Sequence, residues 1–428
     1  MTEILLTPDE RSLIDEIDQR LAEAQQRLAA DQLQRAGALA MVLRSRKLRD
    51  GNWDYRAGSL VRTDLCEKVQ QAIETRNALD HEKAIALASE AIDAGVRVAA
   101  PYTIKSSCLG DLGRREEALG VIVEAMRDCP ESEQNVLIQE RGFQRLMLGR
   151  YAEGWKDWEY RQQRVDLKAN LAKVWPDLPE WDGSPNRHVL VCAEKGLGDT
   201  VLFARYLATL AERNCPVSFL ASKDSAPMAE YLRGYPNIVA AYSGDDSIVR
   251  KFDAWIALES LAQYGDGIPG AFEFRELRSV PKHGARFRVG LCWHGGAQAV
   301  ARNRKPEDPA LWPRFAALRG VRSFSLQLGE RGPCADCLTA DSSLAETAAA
   351  IARCDLVITV DTSIAHIAGS LGIPVWMPLH RLNYWPWTMT DAEHTIWYPS
   401  LRIFRQQGDA WSDTFDKIAS ELKELAHG

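Results

Sequence analysis

One segment in the second half of the sequence, Glu194-Lys-Gly-Leu-Gly-Asp-Thr200, combines glycines with a carboxylate directly after a hydrophobic run. Gly196 and Gly198 let backbone N–H groups approach a ligand at the start of a following helix. Asp199 has two alternative roles here, a carboxylate that faces a cleft or the N-cap of that helix. The segment is not a dinucleotide fingerprint, because Val201 stands where a third glycine belongs, and it is not a P-loop.

A second segment places hydroxyls and a histidine at the end of a hydrophobic run. Residues 355–360 read as a strand that ends at Asp361, and Thr362 and Ser363 then open a helix that contains His366. Hydroxyls, free N–H groups and the helix dipole suit a diphosphate. Simple N-capping by Asp361, Thr362 and Ser363 and a hydrogen-bonded core histidine are the alternatives. Because open α/β sheets bind ligands at the carboxyl ends of their strands, the position favours binding.

The elements around these segments alternate between short β-branched runs and Ala- and Leu-rich amphipathic stretches, which predicts βαβ units and parallel sheets. A helix is predicted over residues 201–213 after the first turn. We expect two Rossmann-like domains, at 186–282 and at 286–428, and the second ends in a closing C-terminal helix. The predicted strands begin near His188, Pro216 and Asp253 in the first domain and near Arg288, Arg322, Asp355 and Pro374 in the second.

The sequence before these domains predicts an all-α domain at 1–165. Residues 7–28 have helical spacing of apolar residues, which predicts a helix that packs or self-associates. Ala84, Ala118 and Gly154 are 34 and 36 residues apart and mark degenerate repeats over about 65–165 that resemble the tetratricopeptide family. Stacked helix pairs of this kind form a groove for a peptide, or they only brace the rest of the chain or build a homo-oligomer.

Composition excludes several classes of protein. The net charge of −7 argues against a nucleic-acid binder. The N-terminal residues lack a secretory pattern and no apolar run reaches membrane-spanning length, which predicts a cytoplasmic protein with no transmembrane segment. The nine cysteines predict free thiols. Cys334, Cys337 and Cys354 are similar to the iron-binding segment of autotransporter heptosyltransferases, but a tetrahedral site needs a fourth ligand, so no metal is expected.

The order of the motifs resembles the tetratricopeptide-linked bacterial glycosyltransferases related to the ADP-heptose lipopolysaccharide heptosyltransferases, over roughly residues 150–425. The motifs that carry this resemblance are Gly196-Leu-Gly-Asp-Thr200, Val289-Gly-Leu-Cys-Trp293, Ser325-Leu-Gln327, Asp361-Thr-Ser-Ile-Ala-His366 and Trp397-Tyr-Pro-Ser400. The resemblance implies a GT-B fold, Asp199 as the catalytic base, and donor binding by Asp361, Thr362, Ser363 and His366. No cofactor is implied beyond the nucleotide-sugar substrate, and a metal is not required because helix N-termini stabilise a leaving diphosphate.

Further side chains are candidates for the same site. Arg304 and Lys305 lie where relatives have a basic stretch that reaches a phosphate, and a solvated loop is the alternative. Gln327 either contacts the donor or closes a turn. His294 and Trp387 are candidates for lining the cleft, although aromatic side chains belong to cores more often. Relatives commonly have Asn-Pro near His294, and this chain does not, so the preference for a sugar or base stays open.

The leading hypothesis for function is a glycosyltransferase that modifies a hydroxyl of a protein such as a flagellin or an autotransporter, recruited by the helical repeats. Transfer to a lipopolysaccharide or another glycan is the second hypothesis. A repeat scaffold that has lost catalysis is the third.

Overall fold

The computed structural model describes residues 63–243, 248, 251–265, 268, 270–275, 286–295, 306, 308–330, 332–336, 338–380, 387, 393–406, 408 and 410–427. The helix predicted over residues 7–28 lies outside these residues. The chain divides into two compact units between Tyr160 and Arg161. No helix in the described part of the chain has the length and apolar content needed to cross a bilayer.

The first unit consists of helices that pack in consecutive pairs, α1 with α2, α3 with α4 and α5 with α6. The helices are α1 (Thr63–Asn77), α2 (His81–Asp93), α3 (Ala99–Asp111), α4 (Arg115–Asp128), α5 (Gln134–Met147) and α6 (Tyr151–Trp158). Three contacts join residues that are 34 positions apart. They are the hydrogen bonds from Ala99 N to Glu133, from Ser106 to Glu140 and from Arg150 to Glu116. The contacts therefore have the period that the sequence predicts.

Small residues lie where the helices of a pair cross. Ala84 in α2 and Ala118 in α4 are fully buried. Gly142 in α5 is so close to α6 that a Cβ there would lie 2.7 Å from the Asp157 Cβ. Gly154 approaches the Leu146 side chain in the same way, at 2.8 Å. The predicted repeat positions thus lie in helices that pack on a preceding helix.

The second unit begins with α7 (Gln162–Val174) and contains a first parallel sheet. Its strands are β1 (Val189–Cys192), β2 (Val217–Ala221), β3 (Ile238–Ser243) and β4 (Ala254–Ala257), in the order β3-β2-β1-β4. The intervening helices are α8 (Leu197–Ala204), α9 (Leu207–Glu212) and α10 (Ala226–Leu232), and a 3-10 helix, Leu258–Tyr264, follows β4. β1 lies between β2 and β4, so the segments after β1 and β4 leave the same edge side by side.

A second sheet is also parallel, in the order β10-β9-β8-β5-β6-β7. Its strands are β5 (Phe287–Cys292), β6 (Val321–Ser325), β7 (Ala335–Asp336), β8 (Leu356–Thr359), β9 (Val375–Leu379) and β10 (Leu401–Arg405). Its helices are α11 (Pro313–Ala316), α12 (Leu344–Ile351), α13 (Ser363–Ser370) and α14 (Ser412–His427). Leu291, Ile358 and Phe415 lie in a buried core between this sheet and α14. The predicted C-terminal helix corresponds to α14.

The structure corrects three details of the sequence prediction. The helix predicted over residues 201–213 is two helices that begin at Leu197 and break at Arg205, whose Nε donates to the Leu202 carbonyl. Strand β3 was not predicted because its side chains are mostly only partly buried. Strand β10 was not predicted because arginines interrupt its apolar run, and Arg402 there is paired with acidic residues. The division between Tyr160 and Arg161 lies close to the predicted limit at 165, and the other domain limits stay predictions.

Candidate active site

Asp199 lies in the first turn of α8 and does not cap the helix. Gly196 is the N-cap residue in an extended conformation, and no side chain caps this end. The Asp199 side chain is partly buried, and burial raises its pKa to about 6. The positive charge of Lys195 opposes this rise, while the negative charges of Glu259 and Asp361 add to it. A carboxyl with such a pKa can take up and release a proton near neutral pH.

The turn after β8 holds its polar side chains by specific hydrogen bonds. The Thr362 Oγ1 accepts from the Ile364 N–H at 3.2 Å and caps α13, so the capping alternative holds for this hydroxyl. It does not hold for Asp361, whose Oδ1 accepts from the Trp387 indole Nε1 at 2.7 Å. Ser363 is the first residue of α13. The N-terminus of α13 therefore opens beside a carboxylate that an indole fixes in place.

His366 is buried in α13 among aromatic rings. Its Nδ1 lies 3.2 Å from the Tyr398 hydroxyl, and its ring packs against Trp387 with centroids 4.7 Å apart and an interplanar angle of 31°. Burial lowers the His366 pKa to about 3, and the nearby Arg205 cation adds to this shift. The imidazole is therefore neutral at physiological pH. Trp387 is 1% exposed, so it is a core residue that supports Asp361 and His366.

The two predicted turns meet at Gly198. A Cβ on this glycine would lie 3.0 Å from the His366 Cδ2 and 3.6 Å from the Ser363 Cα. A side chain at position 198 would fit only if the His366 ring gave way by a few tenths of an ångström, so glycine favours this close approach of α8 to α13. The structure thus brings the turn that carries Asp199 together with the turn that carries Asp361 and His366.

A buried arginine at the C-terminal end of α8 contacts the segment that precedes β10. The Arg205 guanidinium donates to the Trp397 carbonyl at 3.2 Å and lies over the Tyr398 ring, 5.0 Å from its centroid. Tyr398 in turn contacts His366 and packs on Gly369, where a Cβ would lie 2.4 Å from the ring. Contacts through Arg205, Tyr398 and His366 therefore connect α8 with α13.

Gln327 and His294 lie at the carboxyl ends of β6 and β5. The Gln327 Oε1 accepts from the backbone N–H groups of Trp293 and His294, at 3.2 and 2.9 Å. Gln327 therefore closes a turn, which is one of its two expected roles. The His294 Nδ1 lies 2.8 Å from Glu330 Oε1, and its side chain is 36% exposed. His294 is thus partly exposed at this edge of the sheet, with its Nδ1 beside Glu330.

The remaining predicted residues lie elsewhere or outside the described part of the chain. Arg304, Lys305 and Cys337 fall outside it. Cys354 is buried and Cys334 is partly buried. Among the residues that the structure describes, no cluster of three His, Cys, Asp or Glu side chains is arranged to hold a metal ion.

Sequence reasoning missed a buried ion-pair cluster next to Asp199. Arg161 makes two hydrogen bonds to Glu194, at 3.1 and 2.7 Å, and the Lys195 Nζ lies 3.1 Å from Glu259 Oε1. Glu194 follows β1 and Glu259 follows β4. Because β1 and β4 are adjacent parallel strands, the sequence carried a signal that these two carboxylates lie near each other. Arg161 gives no such signal, because its partners are distant in sequence.

The sequence comparisons identify proteins that this chain is similar to. Residues 330–376 match the model of glycosyltransferase family 9, described as heptosyltransferase. The match includes Asp361, Thr362, Ser363 and His366. It confirms the predicted resemblance to this class. The protein FlbA of Caulobacter vibrioides is 28% identical over 371 residues, which cover 74% of this chain and 60% of FlbA. The chain thus spans less than two thirds of that relative.

Solved structures give weaker matches. The iron-containing dodecameric glycosyltransferase TibC from enterotoxigenic E. coli is 17% identical with a TM-score of 0.40, over 54% of this chain and 66% of TibC. E. coli ADP-heptose lps heptosyltransferase II is 13% identical with a TM-score of 0.38, over 56% of this chain and 98% of the other. The O-GlcNAc transferase of Thermobaculum terrenum is 11% identical with a TM-score of 0.31, over 98% of this chain and 88% of the other.

Proposed function

We propose that this chain transfers a sugar from a nucleotide diphosphate sugar to a hydroxyl group of a protein. The observation that carries the proposal is the contact between the two turns at Gly198, which places a carboxyl with a raised pKa beside the N-terminus of α13. The family match over residues 330–376 supports the donor class, because it contains the α13 turn.

Asp199 acts as the general base in this proposal. Its carboxylate takes the proton of the acceptor hydroxyl while the oxygen attacks the anomeric carbon of the donor. A new carbon–oxygen bond forms, the bond from that carbon to the diphosphate breaks, and its electron pair stays on the diphosphate. The N-terminus of α13, with Thr362 and Ser363, stabilises the negative charge of the leaving group.

Neutral His366 and Asp361 have positioning roles. An imidazole that stays uncharged cannot neutralise the diphosphate, so His366 instead supports the base-bearing turn through its contact with Gly198. Asp361, fixed by the Trp387 indole, offers an acceptor for a donor hydroxyl. Arg304 and Lys305 remain proposed phosphate ligands, and Gln327 shapes the turn that presents His294.

The finer assignments belong to the same proposal. The two parallel sheets act as the two domains of a GT-B fold, and the paired helices α1–α6 act as tetratricopeptide-like repeats that recruit the acceptor protein. The 34-residue period of the contacts supports the repeat assignment. A flagellin or an autotransporter is the proposed acceptor, the cytoplasm the proposed location, and no metal cofactor is invoked.

The test follows a radiolabelled sugar from a panel of UDP, GDP, ADP and CMP donors onto co-expressed proteins. We expect label on a protein band, and we expect Asp199→Asn to lower kcat by about 10²-fold or more, since general-base catalysis contributes about 10²–10⁴-fold. Donor binding should be retained in this variant, because the amide keeps the size of the carboxylate.

Two results would contradict the proposal. If a donor binds but label never reaches any protein, the protein acceptor is wrong, and label on a glycan fraction would favour the second hypothesis. If Asp199→Asn keeps wild-type activity, Asp199 is not the base. A Lys168→Met variant is a suitable control, because Lys168 is an exposed residue of α7.

A further inference from the structure

A group of four buried or nearly buried charges includes Lys195 and Glu259, whose charges act on Asp199. Arg161 is fully buried, Glu194 is 1% exposed, Glu259 is 4% exposed and Lys195 is 14% exposed. Arg161 contacts both carboxylates, and it also donates to the Ser260 hydroxyl at 2.9 Å. Two cations and two carboxylates are thus balanced in the absence of bulk water.

Lys195 and Glu259 differ from the other two members because both act on Asp199. Lys195 lies four residues before Asp199 in the sequence, and Glu259 belongs to the 3-10 helix that packs on α8. Arg161 and Glu194 already satisfy each other by two hydrogen bonds. The Lys195 Nζ lies 3.1 Å from Glu259 Oε1, so these two charges form an ion pair that is largely shielded from solvent.

We propose that Lys195 and Glu259 form a positioning pair that sets the charge of Asp199 and, with it, the pH range in which the chain transfers sugar. This inference rests on the function proposed above. Two fixed charges of opposite sign shift the pKa of a third group in opposite directions. Salt and water screen this effect only weakly where water is excluded. The pair never needs to touch the substrate to have this effect.

Further charged and titratable groups lie on the other elements that pack on α8. Asp361 in the turn after β8 adds a negative charge, and the Tyr398 phenol lies close enough to be affected by Asp199. The elements at 223–232 carry Lys223, Asp224 and Glu230, whose side chains are exposed to solvent. Asp361 therefore acts in the same direction as Glu259, and Lys195 is the cation that opposes both.

The test uses two variants with opposite expected effects on the pH profile of kcat/KM. A base must be deprotonated, so wild-type activity should rise with pH through about 6. Lys195→Met removes the positive charge, and we expect the acid limb to move to higher pH by about one unit or more. Glu259→Gln removes a negative charge, and we expect the limb to move to lower pH. Lys195→Arg keeps the charge and should restore the wild-type limb.

A second measurement needs no turnover. Protein labelled with [γ-¹³C]aspartate gives a carboxyl resonance for Asp199, assigned by its loss in Asp199→Asn, and its titration should shift in the same directions in both variants. Unchanged titrations in Lys195→Met and Glu259→Gln would overturn the inference. Lys168→Met, which removes an exposed charge, should leave the titration unchanged.

If Lys195→Met does not fold, the titration of Glu259→Gln alone still decides the inference. If wild-type protein titrates as expected but transfers no sugar, the proposed function fails and this inference loses its catalytic meaning.

Discussion

At the scale of single residues, the site depends as much on missing side chains as on reactive ones. At Gly198, α8 approaches the His366 ring closely, and at Gly369 the Tyr398 ring packs directly on the backbone. The carboxyl of Asp199 then lies beside a neutral imidazole and a fixed carboxylate. Packing therefore requires glycine at position 369 and favours it at position 198, whereas Gly196 has open space around it.

This contrast gives a matched pair of variants. In Gly198→Ala the new methyl group would lie 3.0 Å from His366, so the ring or α13 must move. Overpacking of this kind costs about 1–3 kcal/mol, and we expect donor affinity to fall by about tenfold, which corresponds to about 1.4 kcal/mol. Titration calorimetry with the best nucleotide sugar measures the effect.

Gly196→Ala is the control for this pair, because no atom lies within 4 Å of the added methyl group and the backbone there suits alanine. We expect its donor affinity to stay close to that of the wild type. Equal affinities for the Gly198 and Gly196 variants would show that the contact with His366 does not shape the donor site.

At the scale of elements, the parts that were predictable from sequence are those with local signals. Runs of β-branched residues predicted β1, β2, β4, β5, β6, β8 and β9. Both turns were predictable because each follows such a run. The Arg205 contact with Trp397 and the Arg161 cluster were not, because their partners come together only through the tertiary fold. Sequence spacing carries no information on contacts of that kind.

The helix pairs of the first unit allow a second matched comparison. Gly142→Ala would place a methyl group 2.7 Å from Asp157 in α6, so we expect destabilisation of about 1–3 kcal/mol. Gly120→Ala, in the open face of α4, should instead stabilise its helix by about 0.5–1 kcal/mol. Hydrogen exchange of α4, α5 and α6 measures both changes. Stabilisation by Gly142→Ala would mean that α5 and α6 do not cross as closely as described.

At the scale of the whole molecule, the chain combines a unit of paired helices with a unit that holds every described residue of the candidate site. A change from helical repeats to β-branched runs is visible in the sequence near this division, and the predicted domain limits themselves stay predictions. The sequence did not predict that Arg161, the first residue of the second unit, is buried beside the site.

Donor binding should therefore stabilise one unit selectively. At a concentration of 100 times its Kd, a donor stabilises the folded state by about 2.7 kcal/mol. We expect hydrogen exchange to slow in α8, α13 and the segment after β8, while exchange in α1–α6 stays unchanged. Protection that is strongest in α1–α6 would place the donor in the helical unit and contradict the proposed site.

The close packing of Tyr398 on Gly369 has a consequence for how this sequence can vary. Since a single methyl group at position 369 would lie 2.4 Å from the phenol ring, the two positions are not independent. In a library randomised at both, surviving clones should keep glycine with tyrosine, or exchange both together for a larger residue at 369 and a smaller one at 398. Among related chains, substitutions at positions 369 and 398 should therefore occur together.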